Sequence, residues 1–352
     1  MEPRKPHIIF YSFLACLLVI FHLVYGGYAL GITATDGIIV YDNVSDILYF
    51  CGFSMFFFLY GYQVRDYGRT KSTLVTTLLI IVFALVSSIS GDAQKNYIDF
   101  AGIIDGTWLM WFLPVLGVYL LTSIPISGRK IELHPYYKAW VAVAMVVAYV
   151  LLRIGFHGIV DFKAYHLGKL LFFLPIFYFG YFYRTQLESR AYFIDYVRVS
   201  SWACASVLMI ISLVLLRYMD FDLLQYGTLY EALMQLTCIV MALTLFASFK
   251  ERCSEMKELS ESTLVVQSCI PVIVFAVLLY DTMITHDRLV EVLNTHFILM
   301  PLALSLLLIT ASYSFVLLSV LIYRLFVSVK SETRNGGTKR RGPVGRVHVP
   351  QQ

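Results

Sequence analysis

Charge is what this chain has least of. Asp, Glu, Lys and Arg supply only 14% of its 352 residues, whereas a domain surrounded by water carries about a quarter. That shortage excludes the pair of ordinary soluble domains that length alone would suggest. Net charge is small as well, +4 at pH 7, and the basic residues are scattered rather than banded, which excludes a nucleic-acid partner. Six cysteines follow no spacing that frames a disulfide network or a zinc site. Cys16, Cys51, Cys204, Cys238 and Cys269 fall in apolar runs, and Cys253 in a polar connection. No Walker loop, dinucleotide fingerprint, His-Glu-x-x-His or Gly-x-Ser-x-Gly sequence occurs. No bound cofactor is therefore expected. An internal repeat is also lacking, which weakens an inverted-repeat transporter reading.

What the chain has is apolar length. Hydrophobic residues make up 59% and the mean hydropathy is +0.74. Runs of about twenty apolar residues suit a hydrocarbon core of about 30 Å. They fall at 7–27, 46–64, 73–89, 108–124, 138–154, 168–183, 201–216, 229–249, 263–283 and 297–327. Backbone polar groups in lipid must be satisfied within their own segment, so each run is predicted to be a helix. The first run has no small-residue cleavage site and exceeds a signal-peptide core, so it reads as a span. The last is long for one crossing, and the pattern predicts that it tilts or continues past the membrane.

Basic residues test this count independently. With the N-terminus placed in the cytoplasm, alternating spans divide the 27 Lys and Arg residues 21 to 6 in favour of the inner side. Only Lys95, Arg153, Lys163, Lys169, Arg217 and Arg288 fall outside. A missed or invented span would scramble the alternation after it, so the positive-inside rule supports both number and orientation. The predicted architecture is an all-α integral membrane bundle of about ten transmembrane helices, with both termini cytoplasmic. Residues 1–329 form the membrane domain. Residues 330–352 are polar and basic, include Lys339-Arg340-Arg341, and read as a disordered tail near anionic headgroups. The expected location is a cell membrane, plasma or inner, with lipid as the surrounding partner.

Polar groups placed in lipid at a cost mark candidate sites. The clearest is His22, in the sequence Phe21-His22-Leu23-Val24-Tyr25 of the first run. An imidazole there serves either as a general base, since its ordinary pKa of about 6.5 suits proton abstraction at neutral pH, or as a hydrogen-bonding link between helices. Glu231 and Gln235 are four apart and share a helical face. Arg153 and His157 have the same spacing at the outer end of the fifth run; Arg153 either neutralises an anionic group or snorkels to the headgroups. Gln267, Ser268 and Pro271 interrupt the ninth run. Trp108 and Trp111 suit an interfacial belt.

Five segments together resemble the membrane acyltransferase-3 family. FYSFLACLLVIFH, ending at His22, is similar to that family's opening helix. GFSMFFFLYGYQVR resembles its FFF-x-SG helix and basic loop, and WLMWFLPVLGVYLL its Trp-Phe-Leu segment. LLFFLPIFYFGYFYR resembles its FF-x-x-G helix, and STLVVQSCIP the start of its ninth span. They occur in family order across nearly the whole chain. The resemblance implies transfer of an acyl group, commonly acetyl from cytoplasmic acetyl-CoA, to a hydroxyl of a cell-envelope carbohydrate. It implies His22 as the base that deprotonates this acceptor. It also implies Arg65 and Arg69 as partners for the phosphates of CoA, and Trp111 and Phe112 as lining for the acyl or pantetheine path. Three positions depart from the family. Tyr11 stands where Arg or Lys precedes the histidine by eleven residues, Tyr60 replaces a Ser, and Cys269 occupies the place of a His. A small-solute transporter and a non-catalytic membrane relative remain the alternatives.

Overall fold

The computed structural model describes residues 6–31, 38–64, 67–89, 111–125, 127, 165–184, 207, 211, 227–252, 269–284 and 299–336. Among them the regular structure is entirely helical, in eight helices. These are α1 (Pro6–Gly31), α2 (Ile38–Gln63), α3 (Tyr67–Ile89), α4 (Phe112–Ser123), α5 (Tyr165–Phe182), α6 (Gly227–Arg252), α7 (Cys269–Ile284) and α8 (Leu299–Gly336). Each coincides with an apolar run of the sequence. The runs at 138–154 and 201–216 lie outside the described residues, apart from 207 and 211.

Several boundaries differ from expectation, two of them most clearly. α2 begins at Ile38 rather than at 46, so the polar stretch Asp42-Asn43-Val44-Ser45-Asp46 is helical. α8 continues through Lys330 to Gly336, so the division placed between 329 and 330 falls inside a helix. The reason is the same in both. Hydropathy marks only the apolar part of a helix, while backbone hydrogen bonding propagates into polar residues that keep good helical geometry. Among the described residues no helix is long and apolar enough to cross a membrane.

α2 is the centre of the bundle. Phe53, Ser54, Met55, Phe56, Phe57, Phe58, Leu59 and Tyr60 are all buried, and eight consecutive positions cover every face of a helix. Its most extensive neighbours are α1, α5 and α6, and its rings also meet α4. Glycines set how closely they approach. A Cβ on Gly52 would meet Val19 N of α1 at 3.0 Å. One on Gly61 would fall onto the Phe177 carbonyl of α5, and one on Gly180 onto the Phe58 carbonyl of α2. The two glycines thus face opposite backbones across one interface, the small-residue packing by which helices gain dispersion contact.

Contacts along the helices fix their directions. α1 and α2 are antiparallel, because Tyr11 meets Phe58 and His22 meets Tyr49. α5 runs with α2, through Phe50 to Phe172 and Tyr62 to Tyr183. α4 runs with α5, through Trp111 to Phe173 and Tyr119 to Phe177, and α6 does too, through Phe172 to Gln235 and Tyr183 to Phe246. α3 opposes α4, since Thr77 faces Gly117 and Thr70 bonds Ser127. α7 runs with α1, Cys16 touching Cys269 and Val24 bonding Tyr280. α8 opposes α1, Tyr313 stacking on Phe13 and Leu302 packing on the pair Phe21 and Leu48. Thus α1, α3 and α7 point one way, and α2, α4, α5, α6 and α8 the other. α1 therefore lies against α2 and also against the late helices α6, α7 and α8. Outside the bundle, Val75, Leu78, Leu79 and Val82 of α3 and Leu307, Phe315, Leu318 and Leu321 of α8 are exposed apolar side chains.

Gln235, which the sequence pairs with Glu231, has a structural use. Pro175 stands inside α5, where its ring displaces the carbonyl one turn back and its nitrogen donates nothing. The buried Gln235 Nε2 donates to the nearby Phe172 carbonyl at 2.6 Å. Gln235→Leu is expected to cost about 1–3 kcal/mol by deleting a buried bond. Thermal unfolding of the full chain in detergent checks this, and an unchanged midpoint would refute it.

Candidate functional site

Helical spacing brings His22 onto the face of α1 that meets α2. Tyr11, Ala15 and Val19 are buried at successive turns of that face, and His22 follows one turn further along. Its ring meets Tyr49 edge-on at 5.2 Å and Phe53 at 5.9 Å. Around these two stand Trp111 of the α4 N-cap, 4.7 Å from Phe53 and 5.6 Å from Tyr49, and Phe173 of α5, 5.9 Å from Trp111. Phe112 adds a contact to Phe53 at 5.7 Å. Three residues singled out by the sequence, His22, Trp111 and Phe112, therefore share one aromatic cluster, joined by Tyr49 and Phe53.

Exposure divides that cluster by chemistry. Phe53, Phe112 and Phe173 are 0% exposed and Trp111 only 4%. His22 and Tyr49 remain partly exposed. The two side chains that can handle a proton at the edge of the cluster are thus the ones left accessible. Tyr49 had no distinguishing mark in the sequence, being one of 25 tyrosines.

Tyr11, where the resembled family carries a cation, is buried and donates its hydroxyl to the Ala242 carbonyl of α6 at 3.1 Å. It packs edge-on to Phe246 at 5.1 Å. The position here ties helices together. Cys269 is buried beside Cys16, and Tyr313 Oη lies 3.8 Å from Cys16 Sγ. Pro271 lies within α7 as described, two residues after Cys269.

At the opposite end of α2 a second polar group assembles. Helix C-termini leave carbonyls without intrahelical donors. The buried Arg184, at the end of α5, donates Nη1 to the Tyr62 carbonyl at 3.1 Å and lies 4.9 Å over the Tyr62 ring. The Val64 carbonyl accepts from Ser127 Oγ at 2.6 Å and Thr70 Oγ1 at 3.3 Å. Arg184 and Ser127, distant in sequence, and Thr70, six residues on, thereby cap α2, with a cation at the negative end of its dipole. Nothing in the sequence marks Arg184 for this use, because its partner lies 122 positions away. Arg69 sits in the first turn of α3, partly exposed, beside this cap.

The remaining expected residues are not brought to His22 by anything described. Arg65 and Arg153 lie outside the described residues, and Glu231 lies on α6 with its side chain outside them. No family model, curated protein or solved structure matches this chain.

Proposed function

We propose that the chain is a multi-pass membrane acyltransferase. It moves an acetyl or other short acyl group from cytoplasmic acyl-CoA to a hydroxyl of a cell-envelope carbohydrate, with His22 as base. The observation that carries this reading is the partly exposed imidazole held against sealed aromatic rings within a helical bundle. A thioester is already activated, so transfer needs chiefly a base for the hydroxyl and a donor for the developing oxyanion. It also needs a meeting point for a water-soluble donor and an acceptor on the far side of the membrane.

Three features support the membrane setting. By length alone, helices of 26 residues such as α1, α2 and α6 reach about 39 Å at 1.5 Å per residue, against a hydrocarbon core of about 30 Å. The exposed apolar faces of α3 and α8 suit lipid contact. Helix directions agree with odd-numbered spans crossing outward and even-numbered spans crossing back, the parity from which the 21 to 6 division of basic residues follows. In this frame Arg69, with Arg65, faces the cytoplasm and serves the phosphates of CoA, while Trp111 and Phe112 line the acyl path. Arg153 and Glu231 contact the acceptor from the outer side. The bilayer is a plasma or inner membrane. Surrounding lipid, acyl-CoA and the carbohydrate are the partners.

One observation favours a non-catalytic relative instead: the bond from Tyr11 to Ala242 replaces a cation expected to help with the donor. A single experiment separates the readings. Membranes from cells with and without the protein are incubated with radiolabelled acetyl-CoA and base-de-acylated envelope glycans, and the glycans are weighed by mass spectrometry. A labile acetyl adduct that requires the protein is expected. Equal amounts with and without it, at verified expression, would overturn the enzyme reading.

A further inference from the structure

A base alone does not complete acyl transfer. When a hydroxyl oxygen attacks a thioester carbonyl, the carbonyl oxygen takes up a negative charge, and a bundle interior of low dielectric penalises that charge unless a donor meets it. Among the described residues, the cluster around His22 restricts where such a donor can come from. Phe53 has no polar atom, and Phe173 and Phe112 have none either. The Trp111 indole is packed on Tyr49 and Phe53 with 4% exposure. Tyr49 carries an O–H, touches the imidazole directly at 5.2 Å with a 62° interplanar angle, and keeps partial exposure.

Resting on the acyltransferase reading, we propose that Tyr49 is a second catalytic residue, whose hydroxyl donates a hydrogen bond to the oxyanion formed beside His22. Its orientation is set in advance by four rings: Phe50 at 5.1 Å, Phe53 at 5.3 Å, Trp111 at 5.6 Å and Phe173 at 5.8 Å. A donor that need not reorganise as charge develops is the kind that stabilises a transition state most. A phenol is also neutral, so it enters the apolar cluster without the desolvation cost that a Lys or Arg would bring.

The step balances within these groups and the two substrates. His22 takes the proton of the acceptor hydroxyl as its oxygen forms a C–O bond to the acyl carbon. The carbonyl π pair moves onto oxygen, which accepts the Tyr49 hydrogen bond while the phenol keeps its proton. Collapse restores the carbonyl, breaks the C–S bond and expels CoA thiolate, which receives the proton from the His22 imidazolium. No oxidant, metal or further reactant is required.

The test uses the full-length protein in membranes, with acetyl-CoA and de-acylated envelope glycans, and compares wild type, Tyr49→Phe and Tyr280→Phe. Phenylalanine keeps every ring contact of Tyr49 and removes only the donor. Its kcat is expected to fall about 10²–10³-fold, the loss typical of one oxyanion donor, with KM for acetyl-CoA nearly unchanged. Tyr280→Phe removes another buried hydroxyl, one bonded to the Val24 carbonyl at 3.1 Å, and is expected to leave kcat within about threefold (a factor of ten being about 1.4 kcal/mol). A Tyr49→Phe enzyme with at least a third of wild-type kcat, or one whose loss lies wholly in KM, would overturn the proposal. Should Tyr49→Phe fail to fold, 3,5-difluorotyrosine at position 49 retains shape while making the phenol ionise at lower pH. The alkaline limb of the rate profile must then move to lower pH, and an unmoved limb refutes the role. A wild type without turnover defeats the acyltransferase reading itself, whereas an active wild type with an active Tyr49→Phe defeats this assignment alone.

Discussion

His22→Gln is expected to lower acyl transfer by about 10²–10⁴-fold, the range of a lost general base. Glutamine fills much of the imidazole's volume and keeps a hydrogen-bonding end, but it cannot take up a proton at neutral pH. The fold should survive the change. His22 is partly exposed, and its ring contacts to Tyr49 and Phe53 are edge contacts, each worth about 0.5–1.5 kcal/mol beyond area. The check pairs acetyl transfer to envelope glycans with gel-filtration behaviour of the same preparation. Monodisperse protein with near-wild-type transfer would remove His22 from the chemistry and leave it a packing residue.

Gly61→Ala is expected to have the largest structural effect. The new methyl group would fall on the Phe177 carbonyl, with Phe177 C only 2.7 Å away. Those are backbone atoms, so no side-chain rotation relieves the overlap; α2 and α5 must move apart. Overpacking of this sort costs about 1–3 kcal/mol or more, and separation would also loosen the rings that α5 contributes beside His22. Gly180→Ala acts on the same interface from the other side, with Tyr62 N at 2.9 Å from the added carbon. The two costs should not add, since one separation relieves both. Gly117→Ala is the contrast. Its methyl group would lie 3.9 Å from Thr77 Cγ2, an ordinary contact, and alanine favours helix over glycine by up to about 1 kcal/mol. Thermal unfolding in detergent should therefore lower the midpoint for Gly61→Ala and hold or raise it for Gly117→Ala. Equal midpoints would mean that α2 and α5 are not held by their backbones.

The sequence made the helices legible because long apolar runs leave few structural alternatives, and eight of the ten runs have a described helix. It made helix ends less legible. Asp42 and Asp46 of α2, and Lys330 and Arg334 of α8, are polar yet helical, and a hydropathy pattern stops where polarity begins. Relative direction was readable among the described helices from the order of the runs, while the side each end faces rests on the basic residues alone. The candidate site was readable only where a residue type is costly in its setting. An imidazole in an apolar run stands out, and an indole pair is uncommon enough to notice. Tyr49 carries no such mark, since tyrosine is at home in apolar helices. Arg184 and Gln235 were visible as polar residues, but their uses depend on carbonyls of α2 and α5 reached only through the fold.

The placement of α1 bears on how the molecule can move. A carrier that alternates its opening needs a seam along which two blocks of helices rock apart, and chain halves usually supply the blocks. Here the first helix is packed against α6, α7 and α8 as well as α2, and α2 in turn holds α5 and α6. Beginning and end of the chain are stitched together, and a plane dividing early helices from late ones would cut through the core of α1 contacts. Motion about such a plane would have to break the Tyr11 to Ala242 and Tyr280 to Val24 bonds together. A stitched bundle of this kind suits the proposed acyl transfer, which asks for no rocking of one half of the chain against the other.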